Sequence, residues 1–166
     1  MRPSEAVKKL GIVLPDYDVA PFAGNKYGKM RPFRIVGPVL YLAGHVPEVN
    51  DKVVYPGKLG MTITTAEGYK AARIAGINVL AGVKQALGSL DRVKSLIRTL
   101  NFVVCAPDYY DIYKVASGVT DLLAEVFGSE AGIGCRATIG VEALTNNACF
   151  ETWTEFEITG AVPEEE

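Results

Sequence analysis

The sequence predicts an α+β domain in which a single mixed sheet carries two long helices on one face. Three observations point there. Two segments, Thr64–Leu87 and a stretch from about Asp111 to Val126, repeat apolar residues at helical spacing and stop at a glycine. Strand-like runs surround them in the order strands, helix, strand, helix, two strands. Each helix has one apolar face, and both must bury it against the same sheet. The 166 residues, 49% of them hydrophobic, suit one domain with its own core.

Taken in order, Ser4 can cap a short helix, Glu5–Leu10, which Gly11 and Pro15 would end. Tyr17–Arg34 holds Pro21, Gly24, Asn25, Gly28 and Pro32 and reads as a long loop, so residues 1–36 form an N-terminal helix and loop. Gly37–Leu42, GPVLYL, reads as a buried strand closed by Ala43-Gly44-His45, and Lys52–Tyr55 as a second short strand. Thr64 and Glu67 form a capping box. Behind it Ala72, Ala75, Val79, Val83 and Ala86 share one helical face, and Gly88 stops the helix.

Val93–Cys105 is the next strand, ended by Pro107-Asp108. The second helix places Val115, Val119, Leu122 and Val126 on one face and stops at Gly128. Cys135–Val141 alternates, with Cys135, Ala137, Ile139 and Val141 facing one way. Thr145-Asn146-Asn147 is a turn, Ala148–Ile158 the last strand, and 159–166 a tail too short and acidic to pack. No third long helix covers the opposite sheet face. Val39, Leu42, Ile139, Phe150 and Trp153 would make a wholly wet face costly, which predicts an oligomer.

Composition removes several classes of function. With 17 Lys+Arg against 19 Asp+Glu, a net charge of −2 and a pI near 5.5, the chain lacks the basic face of a phosphate-neutralising nucleic-acid binder. No apolar run reaches the roughly 18 residues of a membrane span, and the start MRPSEAVKKL lacks the apolar core of a secretory signal. Three separated cysteines, Cys105, Cys135 and Cys149, fit a reducing cytoplasm and read as inert core residues. His45 is the one histidine, so no HExxH helix or His cluster exists, and no Cys-x-x-Cys pair accompanies it; a metal site is not expected. The GxGxxG, GxxxxGK[ST] and GxSxG motifs are absent as well. Chemistry must rest on carboxylates, arginine, hydroxyls and backbone amides.

Arg136 lies inside an alternating strand, where an unpaired guanidinium is costly to bury. It reads either as a salt bridge at a sheet edge or as a bidentate clamp on a carboxylate ligand. Glu151 sits among Cys149, Phe150 and Trp153 and reads either as a solvated strand residue or as a carboxyl of raised pKa that exchanges protons near neutrality. If the last two strands form a simple hairpin about Asn146, Arg136 pairs near Glu155, and Glu151 lies about four residues, roughly 13 Å, along the ladder. A ligand touching both would then need strand twist, another pairing or a neighbouring subunit. His45 is either a proton relay or a satisfied structural residue. Tyr109, Tyr110 and Tyr113 read as packing.

Gly37-Pro-Val-Leu-Tyr-Leu-Ala-Gly-His-Val-Pro47 resembles the G-x-x-(aliphatic)-x-S-G-Q-x-P segment of the RidA/YjgF family, the reactive-intermediate deaminases. Cys135-Arg136-Ala-Thr-Ile-Gly-Val-Glu-Ala-Leu144 resembles that family's A-R-x-x-V-x-V-x-x-L-P strand, and Glu151 falls at its acidic position. Val115–Gly128 is similar to the second helix of the longer branch, and the likeness runs from about Leu10 to Ile158. The resemblance implies a chorismate-mutase-like fold and a homotrimer with ligand clefts between subunits. It also implies cofactor-free hydrolysis of enamine or imine intermediates, such as 2-aminoacrylate, to a keto acid and ammonia. Arg136 would hold the substrate carboxylate, Glu151 would activate water, and Ala43, Gly44 and His45 would orient the ligand.

The chain departs from the family pattern at several of these places. His45 replaces a glutamine and Thr138 a cysteine, its hydroxyl able to hold water; Ala116 stands for an asparagine and Thr145 for a proline, with Tyr27 a shifted candidate for a loop tyrosine. These departures put the usual small amino-acid imines in doubt as substrates. Two alternatives follow from the resemblance: a non-catalytic trimer that binds metabolites and regulates partners, and an endoribonuclease, against which the net charge counts.

Overall fold

The computed structural model describes residues 1–20 and 26–160. Part of the long-loop expectation (21–25) and most of the acidic tail (161–166) lie outside the described residues. The chain runs α1 (Pro3–Lys9), β1 (Phe33–Val36), β2 (Val39–Leu42), β3 (Glu48–Val49), β4 (Lys52–Val53), α2 (Thr65–Leu87), β5 (Val93–Val104), α3 (Ile112–Ala131), β6 (Cys135–Val141) and β7 (Phe150–Ile158). Short 3₁₀ turns at Leu90–Arg92 and Thr145–Asn147 complete it.

Both long helices form as the residue pattern requires. Thr64 caps α2, accepting from the Glu67 amide while Glu67 reaches back, and Gly88 closes the helix at φ 73, a left-handed conformation that suits glycine. In α3, Val115, Val119, Leu122 and Val126 are buried, but the helix continues past the expected stop to Ala131. Gly128 does break the helical geometry, and the chain resumes one more turn beyond it. At the N-terminus, Arg2 rather than Ser4 holds the cap position of α1, in a box with Glu5, while the Ser4 amide donates to Asp91. Residues 33–36, assigned to the loop, are a strand, because Gly37 at φ 55 turns the chain back and pairs β1 with β2.

The main sheet has the order β1-β2-β7-β5-β6, and β3 pairs with β4 apart from it. Only β5 and β6 run parallel, joined by the α3 crossover. Of the pairings left open for the last two strands, this excludes the simple hairpin about Asn146. The crossover lays β6 on one edge of β5, so β7 pairs with the other edge, and β5 separates the two last strands. Glu155 accordingly pairs across from Arg98, not Arg136.

The sheet has two unlike faces. Under α2 and α3 lie Leu40, Leu42, Val103, Phe150 and Phe156, all buried and continuous with Val79, Val83, Val119 and Leu122. The other face carries no helix and exposes Tyr41, Ile139 and Trp153, with Ile139 48% and Trp153 49% accessible. Of the residues expected to make that face apolar, Val39, Ile139 and Trp153 do lie there, whereas Leu42 and Phe150 belong to the core. Among the described residues no helix is long and apolar enough to cross a membrane.

Candidate active site

Strand alternation and register decide where each candidate points. Phe102 on β5 pairs with Glu151 on β7 and with Ile139 on β6, so these three side chains share the open face. Thr99 pairs with Arg136 and with Thr154, which puts Arg136 on the helix-covered face with the buried Thr99 and Thr154. Arg136 and Glu151 therefore leave the sheet in opposite directions. A single copy of this sheet does not bring them to one small ligand.

Glu151 is the centre of the open-face cluster. Its carboxylate accepts a hydrogen bond from the Trp153 indole at 3.1 Å, and the Trp153 ring packs on Phe102 at 5.0 Å between centroids. Burial among these rings pushes the Glu151 carboxyl above the usual carboxylate range, and the indole hydrogen bond opposes that shift in part. Gly44 is locked beside it: the His45 amide donates to the Thr152 carbonyl and the Thr152 amide to the His45 carbonyl, both at 3.0 Å. A Cβ on Gly44 would lie 2.9 Å from the Glu151 carboxyl carbon and 2.8 Å from the Trp153 Nε1. The absence of a side chain at Gly44 lets strand and carboxyl approach.

His45, one residue on, turns the other way. Its ring is 1% exposed, with Nδ1 at 2.8 Å from the Ala43 carbonyl, in contact range of Gly82 on α2 and stacked on Tyr17. Burial depresses its pKa to about 4. The imidazole is thus a core residue on the covered side, and its amide is already used in the β7 bridge. The ring therefore lies away from the open-face cluster around Glu151, as a buried residue of the fold. Ala43, whose carbonyl holds that ring, is the neighbouring link between the two sides.

Arg136 sits on the edge strand. Its Nη1 donates to Ser117 Oγ at 3.3 Å and Thr120 Oγ1 at 3.1 Å, both on α3, and among the described residues no carboxylate pairs with it. The salt-bridge reading of Arg136 is corrected by this: the carboxylate partners go to Arg98 and Arg73 instead. Beside Arg136 opens a cavity of about 240 Å³, lined in part by Leu96, Ala124 and Ile133. Thr138, two residues along β6, shares the covered face and lies across from Asn101, whose amide donates to the Ala137 carbonyl and whose oxygen accepts from Thr152. Tyr27 is held elsewhere, its hydroxyl donating to Glu48 beside Lys26. Two features went unread in the sequence. By pattern Trp153 is only an apolar strand residue, although its indole donates to Glu151, and nothing in the spacing of Ser117 and Thr120 on α3 marks their hydroxyls as partners of Arg136. The three cysteines also differ: burial raises the Cys149 thiol to about 11, whereas Cys135 is exposed and is no core residue.

Comparison with known proteins agrees with this architecture. The family model described as "YjgF/chorismate mutase-like, putative endoribonuclease" matches residues 9–151. Protein TCP17 of Trypanosoma cruzi is 33% identical over 145 residues, 87% of each chain. A crystal structure from Shewanella oneidensis that carries the same endoribonuclease description is 30% identical, with a TM-score of 0.87 over 95% of this chain and 100% of that one. Atu1372 of Agrobacterium tumefaciens, a protein of unknown function, is also 30% identical, with a TM-score of 0.82 over 94% of this chain and 91% of that one.

Proposed function

This chain belongs to the YjgF/chorismate mutase-like, or RidA/YjgF, family, and from that premise we propose that it hydrolyses a small carboxylate-bearing imine or enamine to a carbonyl compound and ammonia, without a metal. The observation that carries the proposal is the division of Glu151 and Arg136 between opposite sheet faces. Such a pair works on one ligand when a second copy of the chain presents its open face to the edge strand of the first. A homotrimer with clefts between subunits meets that demand, and the exposed Tyr41, Ile139 and Trp153 supply apolar surface for it to bury.

In this reading the Arg136 guanidinium holds the substrate carboxylate as a fork. Water adds to the carbon of the protonated C=N bond, and the Glu151 carboxylate takes the proton that the water releases. Returned to the nitrogen, that proton turns the amine into a leaving group. The C–N bond then breaks, ammonia departs and the remaining hydroxyl closes to a carbonyl as its proton is lost. A carboxyl whose pKa is raised by burial suits both halves of this exchange near neutral pH. An enamine enters the same route after protonation at carbon.

The test couples a dehydratase that generates 2-aminoacrylate, and separately other 2-imino acids, to detection of the keto acid. Wild type is expected to accelerate release for at least one of them. Glu151→Gln should lower kcat by at least a hundredfold, the usual scale of general acid–base catalysis. Equal rates for wild type, Glu151→Gln and Arg136→Ala on every imine would overturn the proposal. The endoribonuclease description of the family and of the Shewanella relative supports a second reading. A net charge of −2 argues for the first, because RNA cleavage normally needs a basic face.

A further inference from the structure

Arginines among the described residues differ in their partners: Arg92 donates to the Leu87 and Thr159 carbonyls, and others meet carboxylates or hydroxyls. Arg73 gives both terminal nitrogens to Glu125, at 3.1 and 2.6 Å, and Arg98 pairs with Glu155 at 2.6 Å. Their charges are neutralised within the chain. Among the described residues Arg136 meets hydroxyls only, and both touch the same nitrogen, Nη1. Those hydroxyls are themselves committed. Ser117 Oγ donates to the Tyr113 carbonyl at 3.0 Å, and Thr120 Oγ1 leans on the Ser117 carbonyl at 3.5 Å. With their hydrogens turned toward the α3 backbone, the two oxygens present lone pairs to the guanidinium. The helix that carries them is fixed by Val115, Val119 and Leu122, which are fully buried.

From this we infer that Ser117 and Thr120 are positioning residues, which anchor one nitrogen of Arg136 and leave its Nε–Nη2 edge free to take a carboxylate. Neutral acceptors fix the group without cancelling its charge, so the orienting entropy is removed before ligand arrives and the Coulombic attraction is kept. The inference rests on the reading of Arg136 as the carboxylate clamp. It adds that the affinity of the clamp resides partly on α3, two helical positions three residues apart.

Pyruvate serves as the probe, its binding followed by calorimetric titration, with pyruvamide as the uncharged counterpart. Ser117→Ala/Thr120→Val should weaken pyruvate binding about tenfold and leave pyruvamide unchanged, since only the carboxylate uses the fork. Any kinetic effect should fall on KM rather than kcat. Ser117→Thr and Thr120→Ser, which keep the hydroxyls, should return most of the affinity. If the double variant does not fold, Ser117→Ala alone is read in the same way, with about half the effect on a logarithmic scale. Wild-type pyruvate affinity in the folded variant, with binding lost in Arg136→Ala, would overturn the positioning role and leave the clamp standing. Unchanged binding in Arg136→Ala would remove the clamp, and the positioning role with it.

Discussion

The two faces of one sheet are built from the same strands and follow different rules. On the covered side, β7 contributes Phe150, Thr152, Thr154, Phe156 and Ile158, every one buried. On the open side the same strand contributes Glu151, Trp153, Glu155 and Glu157, none of them fully buried. Charges on the open side split along the strand. Glu155 and Glu157 are matched by Arg98 and Lys94, whereas Glu151 lies in a row with Phe102 and Ile139. A carboxylate paired with a cation is inert surface; one among rings is a proton exchanger in waiting. The covered face stores stability, and the open face at Glu151 is where the proposed proton exchange would take place.

Substitutions of two aromatics on β7 should separate these roles most widely. Phe156 is fully buried and packs on Phe127 of α3 at 5.8 Å. Phe156→Ala is expected to cost about 3–5 kcal/mol of folding stability, the usual penalty for an emptied aromatic site. Trp153→Ala, at a half-exposed position, should cost about 1 kcal/mol within the monomer, chiefly the lost contact with Phe102. Denaturant titration gives both values. If the proposed trimer forms, sedimentation should then show the second variant losing that assembly at concentrations where the first, once folded, keeps it. Equal stability losses would mean that the two faces are not distinct.

Acid should reveal the covered side next. His45 has a folded pKa of about 4, against 6.5 when unfolded, because burial disfavours its charge. Below pH 6.5 the unfolded chain takes up the proton first. Stability present above that value is therefore lost as pH falls toward 4, by up to about 3 kcal/mol from this one group. His45→Gln should lower stability at pH 7 through poorer packing but flatten the slope between pH 6.5 and 5. An unchanged slope would mean that the ring is wet in solution.

The helices and the covered face were legible in the sequence because they depend on local periodicity. Thr64, Glu67 and Gly88 set the ends of α2, and the valines of α3 set its buried side. What escaped was the pairing of β6 and β7. A turn such as Asn146-Asn147 signals a reversal, not the neighbour that the next strand will find, and that neighbour is decided by the α3 crossover. The site inherits this limit. Arg136 and Glu151 were identifiable by residue type, but the face each occupies followed from β5 lying between their strands. Likewise the contact of Gly44 with Glu151 joins residues 107 positions apart, and no local pattern encodes it.

The smallest effect has the opposite sign to that of His45. Glu151 lies across the Gly44 backbone from the histidine ring, and its folded pKa is raised above the ordinary 4.5. The folded state then holds its proton longer than the unfolded one. Stability from this group is present at low pH and is lost as pH rises through the window above 4.5. Glu151→Gln, which removes the titration and retains an acceptor for the Trp153 indole, should match wild type in melting temperature at pH 4. At pH 7 it should melt slightly higher, because the variant has no charge to desolvate. If wild type were instead the more stable at pH 7, Glu151 would be a well-solvated or paired carboxylate. The open face would then carry no proton exchanger, and the contrast between the two sides of Gly44 would be one of packing alone.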